Sequence, residues 1–250
     1  MCLLLLKSLY YMKNIYSLVD TVSIRRYNPI VDTVSIINKE VDIMFKGTPE
    51  TIAQRREEIV NACEQLYQTM SFKDITLKEI GNVTSFSRPT IYNYFHTKEE
   101  IFLALYELEY ERWNADLENI LNSDQKYNIE QIAAQIAHTL EKREQLLKLL
   151  SMNNYDMEEN SREELLVSFK TAYGRSLGLF RSILEKYCSE MTEAEVNDIV
   201  YVFFPFMFGI YPYAEVTDKQ KKAMEDAEVD FIYQSIYQIT YNCLIRLLGK

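Results

Sequence analysis

One stretch constrains this chain more than any other: Thr76-Leu77-Lys78-Glu79-Ile80-Gly81-Asn82-Val83-Thr84-Ser85-Phe86-Ser87-Arg88-Pro89-Thr90-Ile91-Tyr92-Asn93-Tyr94-Phe95. It reads as two short helices joined by a tight turn. Thr76 is suited to be an N-cap, and Glu79 three residues on completes a capping box. Leu77, Ile80 and Val83 recur at intervals of three, which places them on one helical face. Thr84-Ser85-Phe86 is too short for anything but a turn. Ser87 caps a second helix with Arg88 and Pro89 in its first turn, where the missing proline N–H has no intrahelical partner to lose. Ile91, Tyr94 and Phe95 face inward; Arg88, Thr90, Tyr92 and Asn93 point outward.

Two helices joined in this way form a helix-turn-helix pattern, whose second helix lies in the DNA major groove. Arg88 suits a guanine edge or a phosphate, and Asn93 an adenine edge or a phosphate. Thr90 and Tyr92 are phosphate donors. The competing reading is any small helical hairpin with a polar face, and the flanks discriminate. Upstream, residues 55–67 form an amphipathic helix with Ile59, Ala62, Cys63, Leu66 and Tyr67 as its apolar positions. Downstream, Thr97 is an N-cap with Glu100 at the box position, and a long helix begins there.

On these residues, the run 55–105 resembles the DNA-binding domain of the TetR family of bacterial transcriptional regulators. The first-helix pattern, Ile75-Thr76-x-x-x-Ile80, Ser87-x-x-Thr90-Ile91-Tyr92-x-Tyr94-Phe95 and Thr97-Lys98-Glu99-Glu100 carry the resemblance. It implies a homodimer that reads a double-stranded operator built as an inverted repeat. It also implies a DNA-contact set of Thr76, Ser87, Arg88, Pro89, Thr90, Tyr92, Asn93, His96 and Lys98. The chain departs from the family at Ser85, where Gly is usual, at Phe86, where a small aliphatic residue is usual, and at Arg88-Pro89, where Lys-Gly is usual. A glycine turn admits positive φ, so Ser85 is expected to be strained or to shift the turn. Pro89 stiffens the first turn and removes one backbone donor.

The net charge of −10 is unexpected in a DNA binder, but it is unevenly spread. Residues 47–98 carry six Lys/Arg and six Asp/Glu, a net of zero, whereas residues 99–250 carry 15 against 27, a net of −12. Phosphate contact needs only a local positive or donor-rich face, so the reading head is compatible with an acidic body.

Six Gly and five Pro in 250 residues argue for long helices. Beyond the head, amphipathic helices are expected over 98–121, 129–150, 163–188, 192–211 and 219–248, with a polar loop over 151–161. No segment alternates like a strand, so the class is all-α. Pro205 is expected to kink its helix. The run Tyr201–Tyr213 is apolar all round and calls for burial on every side. By the family resemblance, 192–211 and 223–248 are the dimer interface. By the same resemblance, a small-molecule effector enters the body and shifts the helix that starts at Lys98, changing the separation of two heads. Tyr110, Trp113, Phe169, Tyr173, Phe204 and Phe208 are the candidate lining of the effector pocket, although aromatic residues at helical spacing also serve as plain core. The acidic body favours a neutral or cationic effector.

Cys2, Cys63, Cys188 and Cys243 are scattered without metal-ligand spacing, and His96 and His138 are far apart, so no metal or cofactor is expected. The cysteine usage fits a reduced, cytoplasmic protein. No nucleophile–base pair, phosphate loop or paired catalytic carboxylates are readable, which argues against an enzyme. A second functional reading is a dimeric helical small-molecule-binding protein that has lost DNA recognition, motivated by Ser85, Pro89 and the neutral head.

The organisation expected is an N-terminal extension over 1–46, a helix-turn-helix domain over 47–97, and a larger ligand-binding and dimerisation body over 98–250. The extension has no membrane-length apolar run and no small-residue cleavage site. It contains an identical repeat, Val19-Asp20-Thr21-Val22-Ser23-Ile24 and Val31-Asp32-Thr33-Val34-Ser35-Ile36. One set of codons for this hexapeptide contains TTGACAC-N-GTGTCAA, an inverted repeat. Two readings of the extension follow: a disordered or weakly ordered segment, or operator DNA translated because the start codon was placed too early, with the real start at Met44.

Overall fold

The computed structural model describes residues 48–152 and 154–249, apart from the side chain of Asn154. The extension, its repeat and Met44 lie outside the described residues. The described chain is all-α, with a helix-turn-helix segment followed by a larger helical body.

The head uses three helices: α1 (Pro49–Thr69), α2 (Leu77–Val83) and α3 (Arg88–Ile91). Helix α1 buries Ile59, Val60, Ala62, Cys63 and Tyr67, the face its periodicity marks. Thr76 caps α2 by accepting from the Glu79 N–H at 3.3 Å. Leu77 and Ile80 are buried, but Val83 is exposed, against expectation. At 3.6 residues per turn a three-residue step drifts by about 60°, so by the third repeat the side chain has left the buried face.

The body consists of α4 (Lys98–Leu121), α5 (Ile129–Glu141), α6 (Glu144–Leu150), α7 (Asn154–Glu159), α8 (Glu163–Tyr187), α9 (Glu193–Ala214), α10 (Asp218–Asp226) and α11 (Ile236–Leu248). Helix α4 packs along α8, α5 along α11, and α9 meets α6, α8 and α11.

Three expected elements differ. The helix over 129–150 is broken at Lys142–Arg143, where Arg143 turns its guanidinium onto Asp116 at 2.7 Å. The loop over 151–161 contains α7. The last helix over 219–248 is interrupted by a non-helical segment over 227–235. Glu225, Asp226, Glu228 and Asp230 crowd negative charge at the C-terminal end of α10, where the helix dipole disfavours it. Glu228 adopts φ 56 there, and Ser235 starts α11 with a reciprocal capping box to Gln238.

Helix α9 runs through Pro205 and Pro212 and is two-faced, not buried on every side. Phe203, Phe204, Met207 and Ile210 are buried, while Tyr201 (67%), Val202 (51%), Phe208 (42%) and Tyr213 (60%) are exposed. No single helix among the described residues is long and apolar enough to cross a membrane.

Candidate nucleic-acid interface

The second helix of the motif is a single turn, continued by turn residues 92–94. Pro89 sits in its first turn. The Ser87 hydroxyl bonds the Thr90 hydroxyl at 3.0 Å and makes no side-chain cap, unlike the expectation. Ser85 is unstrained, because Glu228 is the one non-glycine residue with positive φ among those described. Its N–H donates instead to Glu58 Oε1 at 2.8 Å, which ties the turn to α1. Gly81 faces the turn, and a Cβ there would lie at ordinary van der Waals distances, 3.4 Å from the Phe86 carbonyl oxygen and 3.5 Å from the Arg88 nitrogen.

Arg88, Pro89, Tyr92, Asn93 and His96 are exposed, and Thr90 is half-buried. The Arg88 guanidinium donates to the Tyr92 hydroxyl at 3.0 Å and lies 5.6 Å from its ring centroid, so the two are presented as a pair. Thr76 is exposed and committed to its cap. Lys98 departs from the predicted contact set. Its ammonium donates to the Phe72 carbonyl at 2.8 Å and sits 4.1 Å from the Phe72 ring centroid, so it braces the loop after α1.

A four-residue helix does not hold itself in register, and neighbours supply the constraint. Ile91, Tyr94 and Phe95 are buried beneath it. Arg55 donates to the Tyr94 hydroxyl at 2.9 Å, and Arg56 donates to the Tyr94 carbonyl at 3.2 Å while stacking 4.4 Å from the Phe95 centroid. Arg162, the residue before α8, also donates to the Tyr94 carbonyl, at 3.0 Å.

Arg162 and Glu100 were not singled out as a site by sequence reasoning. In the sequence Glu100 is a capping-box position within the Thr97–Glu100 motif, yet its carboxylate is 1% exposed and is a hub. It accepts from the His96 N–H at 2.7 Å and from Arg162 Nε at 2.7 Å, and again from the Arg162 terminal nitrogen at 3.0 Å. Burial alone would raise this carboxyl, but the Arg162 and His96 bonds outweigh it and hold the pKa below the ordinary 4.5. Thr97 adds a bond to the Asn160 carbonyl at 3.0 Å. The sequence spacing of Glu100 and Arg162, 62 residues apart, holds no signal of this pairing.

A second tie joins α1 to the body. The Arg112 guanidinium bridges Glu64 at 2.6 Å and also pairs with the buried Glu109. Burial raises the Glu109 carboxyl despite that partner. Lys148 donates to the Tyr67 carbonyl at 2.7 Å.

Within the body, Tyr110, Trp113, Phe169, Tyr173 and Phe204 come together as one cluster of rings. Centroid separations are 5.5 Å for Tyr110–Tyr173, 6.0 Å for Tyr110–Phe169, and 5.8 Å for both Trp113–Phe204 and Tyr173–Phe204. Phe208 is the exception among the six predicted pocket residues, since it lies on the exposed face of α9. The Trp113 indole N–H donates to the Thr139 hydroxyl at 2.9 Å. Burial pushes the Tyr110 and Tyr173 hydroxyls up in pKa, so both stay protonated. Open apolar grooves lie elsewhere, including one of about 380 Å³ lined by Phe206, Tyr213, Phe231 and Ile239. Among the described residues no group of three or more His, Cys, Asp or Glu is placed to hold a metal ion.

A small helix-turn-helix head on a larger all-helical body defines a class, the DNA-binding transcription regulators. Within that class, the model of the bacterial regulatory proteins of the tetR family matches residues 59–105, and that of the tetracyclin repressor-like C-terminal domain matches residues 107–233. The chain belongs to the TetR family. No curated protein matches it. Among solved structures it is similar to the transcriptional regulator FadR of Bacillus subtilis in complex with stearoyl-CoA (15% identity, 77% of this chain and 97% of that one, TM-score 0.52). It is also similar to the repressor FadR of Thermus thermophilus in complex with lauroyl-CoA (17% identity, 77% and 93%, TM-score 0.52). A TetR/AcrR-family regulator from Thermobifida fusca has the same fold (12% identity, 78% and 97%, TM-score 0.51).

Proposed function

We propose that this chain is a homodimeric, effector-responsive repressor that binds an inverted-repeat operator through the face bearing Arg88, Thr90, Tyr92 and Asn93. Of the proposed contact set, Ser87, Pro89 and His96 flank that face, while Lys98 and Thr76 serve the fold. The observation that carries the reading is the exposure of the Arg88–Tyr92 pair and of Asn93 on a reading turn that both the head and the body brace. It acts as a regulator, not an enzyme, in the cytoplasm where chromosomal DNA is found.

The dimer forms over the apolar face Tyr201, Val202, Phe208 and Tyr213 of α9. The non-helical segment within the expected last helix carries the exposed Ile232 and Tyr233, which line grooves shared with Tyr213 and so extend that face. An apolar face of this kind on a single chain is suited to a partner. The effector is an apolar molecule that inserts among the rings around Tyr110 and Phe204. The two FadR neighbours bind acyl-CoA, and the same ring cluster suits an acyl chain, although the acidic body offers few cations for a CoA headgroup.

The test is an anisotropy titration against DNA from the chain's own promoter region at two salt concentrations, with and without lauroyl-CoA. Salt-sensitive binding that weakens in Arg88→Ala supports the repressor. Absence of binding at both salts favours the alternative, a helical binding protein that no longer reads DNA. Tyr201→Glu combined with Val202→Glu should yield monomers in sedimentation, and a persisting dimer would move the interface elsewhere.

A further inference from the structure

The function proposed above leaves one feature unused, the repeated hexapeptide at 19–24 and 31–36. We propose that the DNA encoding these two hexapeptides carries two copies of this protein's operator. Each has the form TNGAYAC-N-GTRTCNA, with Y and R complementary and the two outer N complementary. The proposal rests on the DNA-binding reading, and it concerns the gene, not the conformation of the encoded residues.

The genetic code supplies the argument. Val-Asp-Thr-Val-Ser-Ile is written GTN GAY ACN GTN TCN ATH when serine uses its TCN codons. Take the third base of the threonine codon as centre and step outward. The threonine C faces the G of the second valine, and the threonine A faces that valine's T. The aspartate A and G face the T and C of serine. The first valine's T faces the A of isoleucine. These five pairs are complementary through amino-acid identity alone, given TCN serine. The other two pairs join third-codon positions, which are free to match. An arbitrary hexapeptide does not give five such coincidences, and here the same hexapeptide stands twice.

The limits of the repeat fit this origin. Tyr16-Ser17-Leu18 and Asn28-Pro29-Ile30 precede the two copies, and Arg25-Arg26-Tyr27 and Ile37-Asn38-Lys39 follow them, with no match in either flank. Identity therefore stops where the inverted repeat stops. A repeat kept for packing would need at least about three units to bury a shared core.

The geometry fits the reading head. The arms TNGAY and RTCNA have centres about ten base pairs apart, one helical turn, which is the spacing a two-fold dimer reads. Each arm presents an adjacent G–A step. Arg88 is the side chain for a guanine edge and Asn93 for an adenine edge, and both are exposed on the same short reading segment. The two sites start twelve codons apart, about three and a half turns, so two dimers occupy nearly opposite faces of the duplex without collision.

The experiment is selection of binding sites from a random duplex pool by the full 250-residue chain, read beside the nucleotide sequence of the gene. The expected motif is the inverted repeat above. Exchanging G for C in both arms of the gene's own copy should lower affinity about tenfold or more, and Arg88→Ala should relax the preference at that base. Enrichment of an unrelated inverted repeat overturns the operator assignment and leaves the DNA-binding reading standing. No enrichment removes both. AGY serine codons or unpaired third positions in both copies also overturn the assignment.

Discussion

The helix-turn-helix head and the α9 face both present to solvent the side chains that the proposed function uses, but they are made ready in opposite ways. Helix α3 is one turn long and depends on others: Arg55, Arg56 and Arg162 all converge on Tyr94. Helix α9 runs from Glu193 to Ala214, starts on a reciprocal Thr192–Glu195 capping box and buries one full face. The head therefore shows polar groups whose placement is borrowed from its surroundings. The α9 face shows apolar groups whose placement is secure and whose burial is incomplete in one chain. A regulator gains from this division. On the function proposed above, a reading turn held by long-range bonds can be loosened by small shifts in the body, whereas the proposed dimer face has to persist through them.

The sharpest way to break the comparison is to damage the body and ask whether the head follows. Trp113→Ala removes a fully buried ring and its bond to Thr139, and should cost about 3–5 kcal/mol in urea unfolding. A cost under 1 kcal/mol would mean that the aromatic cluster is not core.

Next is Arg162→Ala, which strips the buried Glu100 carboxylate of its guanidinium and should cost about 2–3 kcal/mol. It should also loosen the head, seen as faster amide exchange over residues 88–96. Unchanged exchange would show that α1 alone holds the reading turn. The same tie has a pH signature. The Glu100 carboxyl is depressed below 4.5 in the folded chain, so its contribution is complete above about pH 4.5 and is lost as pH falls through the folded value. The raised Glu109 carboxyl acts with the opposite sign just above that range, so the comparison is made against Glu100→Gln. That variant should flatten the acid limb of stability, and an unaltered limb would assign it to other carboxylates.

Smaller effects belong to the exposed residues. Arg88→Ala and Asn93→Ala should each weaken operator binding by about 1–3 kcal/mol and change stability by less than about 0.5 kcal/mol. A large loss of stability would make these residues structural and erase the difference between the head and the body. Least of all, Gly81→Ala should stay within about 1 kcal/mol of the parent, since its Cβ meets only ordinary contacts and alanine favours the helix. A bulkier Val at that position presses on the Phe86 carbonyl and should separate α2 from α3, seen as lost DNA binding.

Much of the head was legible in the sequence because its signals are local. Thr76 and Thr97 mark helix starts with their own side chains, and Leu77, Ile80 and Ile91 mark the buried face within a turn or two. Val83 misled because a three-residue spacing drifts off the face. Lys98 misled because a lysine beside a basic motif says nothing of the carbonyls of Phe72 and Ile75 that fold toward it. In the body, five of the six rings chosen for the pocket do meet, while Phe208 turns outward on a helix whose run of apolar letters hides its two faces.

By itself the sequence determined the all-α class, the head and its outward residues, and the acid-rich body. Each of these follows from neighbours within a turn or from simple composition. Only the tertiary structure decided that Glu100 is a buried hub for Arg162, that the last helix breaks over 227–235, and that α9 keeps one apolar face in solvent. Those depend on groups far apart in the chain being brought into contact. Burial and hydrogen bonding over such separations leave no period or spacing to read.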